Sequence, residues 1–71
     1  MNANDYRSAA EDQLRPILER AKANEGRVSP EDIEIGQRCC RVIEIARELA
    51  PGSAPNDRLL WAWEDLKKLE P

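Results

Sequence analysis

Apolar residues recur every three or four positions along most of this chain, the spacing that places side chains on one face of an α-helix. Three segments show this pattern, and stretches rich in Gly, Pro, Ser and Asn separate them. The pattern predicts an all-α fold. We expect a small three-helix bundle, a single domain over residues 1–71, with helices at about 4–24, 30–50 and 54–69.

The first segment is amphipathic but contains a proline. Pro16 lacks the amide that would continue the helical hydrogen bonds, so the segment forms either two short helices or one kinked helix. Because the apolar face keeps its phase across Pro16, we predict one helix kinked there. Either Asn4 or Ser8, the latter with Glu11 in a capping box, would begin it, and Gly26 would close it. The predicted core face comprises Tyr6, Ala10, Leu14, Ile17, Leu18 and Ala21.

The second segment has the clearest start signal. Ser29 is a good N-cap, and Pro30 stands at the first helical position, where its missing amide costs nothing. Val28 and Ile33 occupy the two positions of a hydrophobic staple. The predicted core face is wide enough to contact two neighbouring helices; it comprises Ile35, Cys39, Val42, Ala46 and Leu49, widened by Gly36, Ile43 and Ala50.

The third segment follows a short linker, so we expect it to pack antiparallel to the second. Ser53 or Asn56 would cap it. Its predicted core face comprises Leu59, Ala62, Trp63, Leu66 and Leu69. Leu60 lies at the border of that face, and Trp61 points away from it.

Composition narrows the classes of partner. The net charge is −3, and acidic and basic residues are mixed along the chain, which disfavours direct binding to nucleic acid. No apolar run approaches the roughly 20 residues of a membrane span. We therefore expect a cytoplasmic protein that binds neither nucleic acid nor membrane. With 71 residues, its core would supply only about 3–5 kcal/mol, so a protein partner would matter energetically.

No residue pattern predicts catalysis, a metal or a cofactor. Cys39 and Cys40 are adjacent, and the chain contains no His to complete a zinc site or to activate a thiol. We expect both cysteines to serve packing, Cys39 more deeply, and we expect no enzymatic activity. Gly36 inside a helix costs about 1 kcal/mol relative to Ala, which predicts a close approach at a helix crossing.

Trp61 carries the functional hypothesis. A large aromatic residue on the polar side of a helix, close to Arg58, is typical of binding hot spots. The predicted contact surface comprises Trp61, Arg58, Leu60 and Asp65, and the predicted function is a module that docks on a partner protein and modulates it. Trp61 would instead be structural if the helix were rotated or if the first helix covered it.

Two other functions fit the sequence. Glu31, Asp32 and Glu34 could form the acidic patch of an inhibitor or decoy that blocks a nucleic-acid-binding protein. The apolar spacing from Ile35 to Leu49 could form the seam of a homodimeric helical bundle. Steep salt dependence would mark the first alternative, and a dimeric mass in solution would mark the second.

Overall fold

A computed structural model describes residues 1–69, and within that range the chain forms three α-helices and no strand. Helix α1 spans Ala3–Ala23, α2 spans Pro30–Arg47 and α3 spans Asp57–Lys67. The predicted all-α fold, a small three-helix bundle, is confirmed. The second and third helices are shorter than predicted. After Arg47 the backbone amides bond to the carbonyl three residues back instead of four, so α2 ends in a tighter turn that leads into the linker.

Helix α1 begins earlier than either predicted start. Asn2 is its N-cap: the side-chain oxygen of Asn2 accepts from the amide of Asp5 at 3.0 Å, and the Asp5 carboxylate accepts from the amide of Asn2 at 2.9 Å. This is a complete capping box. The predicted caps at Asn4 and Ser8 are therefore wrong, because the Asn2 box satisfies the first amides of the helix before either residue is reached.

Helix α1 runs through Pro16 without a break, so the alternative of two short helices is wrong. The kink at this residue stays a prediction. At the far end, the amide of Gly26 bonds the carbonyl of Ala21 at 2.7 Å. Both Gly26 and Glu25 have positive φ, 85° and 59°. Gly26 thus takes the left-handed conformation as predicted, but Glu25 takes it first, at the position that Gly usually occupies.

Helix α2 lies between the other two helices. It starts as predicted, with Pro30 at its first position and the Ser29 hydroxyl accepting from the amide of Asp32 at 3.2 Å. The buried residues of α2 are fewer than predicted: Ala50 is exposed beyond the end of the helix, and Ile35, Gly36 and Leu49 are only partly buried. Ile45 is buried without having been predicted, and the buried set in α2 comprises Cys39, Val42, Ile43, Ile45 and Ala46.

The helices alternate in direction. Arg20 near the end of α1 pairs with Asp32 at the start of α2, and Arg58 at the start of α3 pairs with Glu48 just after α2. Both helices are therefore antiparallel to α2, as predicted for α3.

Helices α1 and α3 touch where the start of α1 meets the middle of α3. The rings of Tyr6 and Trp63 make an edge contact with centroids 5.2 Å apart, and the amide of Ala3 donates to the carbonyl of Ser53 at 2.9 Å. These contacts tie the start of α1 to α3 and to the linker before it.

Candidate functional site

The packing of α3 fixes which of its residues face outward. The Asn56 side chain caps the helix by accepting from the amide of Leu59 at 2.9 Å, so of the two predicted caps Asn56 is the one used and Ser53 is not. Leu59 and Leu66 are completely buried. The opposite side of the helix is exposed, and Trp61 on that side has 65% of its surface accessible.

Trp61 is not covered by the first helix. Tyr6 of α1 contacts Trp63 instead, and Trp63 is half-buried against the core. The alternatives of a rotated α3 and of an α1 that shields Trp61 are both wrong, because the phase set by the buried leucines points Trp61 to solvent.

Two carboxylates lie between the exposed apolar residues of α3. Leu60 is 36% exposed, and successive residues advance by about 100° around the helix. That advance places Asp57 and Glu64 between Leu60 and Trp61, and both acidic residues are exposed. We call these four residues the α3 face. The sequence prediction did not include Asp57 or Glu64, although the same helical spacing would have placed them there.

Arg58 and Asp65, also predicted to contact the partner, lie on the other side of Trp61. Arg58 points toward α2, where its Nη1 is 3.4 Å from Oε2 of Glu48. Asp65 is 3.9 Å from Nζ of Lys68 and lines a shallow depression between α2 and α3. The four predicted residues therefore share a helix but not a single surface, and Arg58 and Asp65 are held in ion pairs of the exposed, weak kind.

A second apolar surface lies between the first two helices. It is an open groove of about 470 Å³, and Leu18 and Ile33 on it are 54% and 47% exposed. Leu18 was predicted in the core, and the structure corrects this: the side chain is exposed and lines the groove instead. We call this surface the α1/α2 groove; its apolar lining comprises Leu14, Ile17, Leu18, Val28, Ile33, Gly36 and Cys40.

Gly36 is not required by the helix crossing. A Cβ atom built on Gly36 would lie 3.8 Å from Cδ1 of Leu14, which is ordinary van der Waals contact. The predicted reason for this glycine, a close approach between helices, is therefore wrong, since an alanine would fit in the same space.

The acidic residues at the start of α2 are partly neutralised. Arg20 donates to both carboxylate oxygens of Asp32, with Nη2–Oδ1 and Nε–Oδ2 distances of 2.8 and 3.0 Å. These hydrogen bonds hold the pKa of Asp32 below its usual range because they stabilise its ionised form. Of the predicted acidic patch, only Glu31 and Glu34 are left without an ion-pair partner among residues 1–69.

The cysteines differ in environment. Cys39 is completely buried in the core, whereas Cys40 is exposed on the α1/α2 groove, and both are thiols. Packing accounts for Cys39 as predicted, and it does not account for Cys40. Among residues 1–69, no group of three or more His, Cys, Asp and Glu side chains is placed to hold a metal ion.

Comparison with known proteins adds no relative: the chain matches no family model, no curated protein and no solved structure. None of the helices within residues 1–69 combines the length and the apolar character that crossing a bilayer requires. The candidate binding surfaces of the protein are therefore its two exposed apolar surfaces, the α3 face and the α1/α2 groove.

Proposed function

We propose that this protein is a non-enzymatic module that docks on a partner protein through the exposed side of α3 and modulates that partner. The observation that carries the proposal is the exposure of Trp61 on a helix whose opposite side is fully packed. Trp is the residue type most enriched at binding hot spots, and a helix fixed by buried leucines presents it with little loss of entropy on binding.

The size of the exposed indole makes it a credible anchor. An aromatic side chain buries roughly 150–250 Å², and each Å² of apolar surface contributes about 25 cal/mol. With about two thirds of Trp61 accessible, docking would gain on the order of 3 kcal/mol from this residue alone. Leu60 enlarges the same contact, and Arg58 at its edge can exchange its weak pair with Glu48 for a partner carboxylate.

The two alternative functions have less support. The seam proposed for a homodimer runs along the face of α2 that is already buried within the monomer, so pairing through it would require the core to open. In the acidic decoy proposed at the start of α2, Arg20 compensates the charge of Asp32, which leaves Glu31 and Glu34 to form the patch. We place the protein in the cytoplasm, a reducing compartment in which its two thiols persist.

The test is affinity capture from cells that produce the protein, with three immobilised chains: wild type, Trp61→Ala and Leu18→Ala. Leu18 is the matched control because it is similarly exposed but belongs to the α1/α2 groove. We expect a protein that is retained by the wild type and by Leu18→Ala and is lost with Trp61→Ala.

The reverse pattern, or the absence of any protein whose capture depends on Trp61, would contradict docking through α3. The free energy of unfolding of each variant, measured by thermal melting, should stay within about 0.5 kcal/mol of the wild-type value, as for other exposed positions. A large loss of stability in Trp61→Ala would assign Trp61 a structural role.

A further inference from the structure

The α3 face combines apolar and acidic residues in a way that constrains its partner. Asp57 and Glu64 are exposed, and neither forms an ion pair with another residue in the described range 1–69. The neighbouring charges are compensated in pairs, Arg58 with Glu48 and Asp65 with Lys68. Trp61 is therefore flanked by two carboxylates that have no ion-pair partner in this range, and the nearest cation on that side by helical spacing is Lys68, which pairs with Asp65 at 3.9 Å.

Asp57 and Glu64 lie between Trp61 and Leu60 around the helix, so a partner that covers Trp61 and Leu60 also removes part of the water around the two carboxylates. Removing water from a carboxylate opposes binding unless the partner supplies a counter-charge. A partner with positive charge beside both positions therefore gains more from this contact than a neutral partner does.

We infer that the partner surface recognised by α3 is an apolar pocket bordered by Lys or Arg side chains, and this inference rests on the proposed docking through α3. Asp57 also lies in the first turn of α3, at the end of the helix dipole that favours negative charge. The same negative charge repels phosphate, which makes nucleic acid and anionic lipid poor ligands for this face.

Phage display of short random peptides can test the chemistry of the α3 face directly. The library is selected on the immobilised full chain and counter-selected on Trp61→Ala, so that peptides bound to the α1/α2 groove are removed. We expect the enriched sequences to combine a large apolar residue with an excess of Lys and Arg. Enrichment of neutral or acidic sequences that depend on Trp61 would overturn the inference and leave the docking proposal standing.

The strongest enriched peptide is then measured against two isosteric variants, Glu64→Gln and Glu19→Gln. Both change the net charge equally, but Glu19 is an exposed residue of α1. We expect Glu64→Gln to weaken binding about two- to fivefold at about 0.1 M salt, and to have little effect at about 1 M, where the Debye length falls to about 3 Å.

Glu19→Gln should bind as the wild type does. Equal effects of the two variants would show a response to net charge and would overturn the inference. Failure of the docking proposal itself has a different signature, a library from which no Trp61-dependent sequence emerges.

Discussion

Gly36 is the residue whose presence the packing explains least. A glycine in a helix interior exposes the backbone and loses more entropy on folding than an alanine does, a cost of about 1 kcal/mol. The neighbouring Leu14 leaves room for a Cβ atom at normal contact distance. The monomer therefore gives up stability at this position without a compensating contact.

Gly36→Ala should raise the free energy of unfolding by about 1 kcal/mol, because it removes this cost and adds an ordinary contact. Urea denaturation followed by far-ultraviolet circular dichroism measures the change. Gly52→Ala is the matched control: Gly52 has a φ of 83°, so the same substitution there should lower stability. A loss of stability in Gly36→Ala would mean that the two helices approach more closely than the structure shows.

At the scale of elements, α1 and α3 make few contacts compared with those that each makes with α2. The edge contact between Tyr6 and Trp63 joins them, and within α3 itself Nζ of Lys67 lies 4.5 Å from the centre of the Trp63 ring. Trp63 thus serves the fold, whereas its neighbour Trp61 contributes nothing to the core.

A double-mutant cycle measures this contact. Tyr6→Leu and Trp63→Leu should show a coupling of about 0.5–1.5 kcal/mol in the free energy of unfolding, the range found for edge-to-face aromatic pairs. The control cycle combines Tyr6→Leu with Trp61→Leu, and the two effects should add to within about 0.5 kcal/mol. Equal coupling in the two cycles would show that α1 does not select Trp63 over Trp61.

The whole molecule presents two apolar surfaces on different helices. The α3 face projects from the third helix, and the α1/α2 groove is formed by the first two. Both surfaces depend on the same core, which is continuous across the three helices. A partner that docks on α3 therefore leaves the groove accessible, and substitutions in one surface can be used as controls for the other.

Quenching of tryptophan fluorescence by acrylamide should be biphasic in the isolated protein, because Trp61 is exposed and Trp63 is half-buried. Trp61→Phe should remove the accessible component, and Trp63→Phe should remove the shielded one. If both indoles are shielded, the measurement is repeated at lower protein concentration. Self-association through α3 would then be reversed and Trp61 would become accessible to acrylamide. Shielding that persists on dilution would mean that Trp61 is buried within the monomer.

The sequence by itself determined the number of helices, the start of α2 and the side of α3 that faces solvent. These features depend on local chemistry: Ser29 and Pro30 satisfy the first turn of α2 wherever it lies, and the spacing of Leu59 and Leu66 fixes the phase of α3. The start of α1 also depends on local chemistry, but the sequence prediction considered only Asn4 and Ser8 as caps and did not consider Asn2, which forms the capping box with Asp5.

Only the tertiary structure decided how much of each apolar arc is covered. Periodicity gives the centre of a buried face, whereas its edges depend on where the neighbouring helices lie. For this reason Leu18 is exposed and Ile45 is buried, against expectation. The same reason explains the surroundings of Trp61: Arg58 pairs with Glu48 just after α2, while Asp57 and Glu64 have no ion-pair partner among residues 1–69.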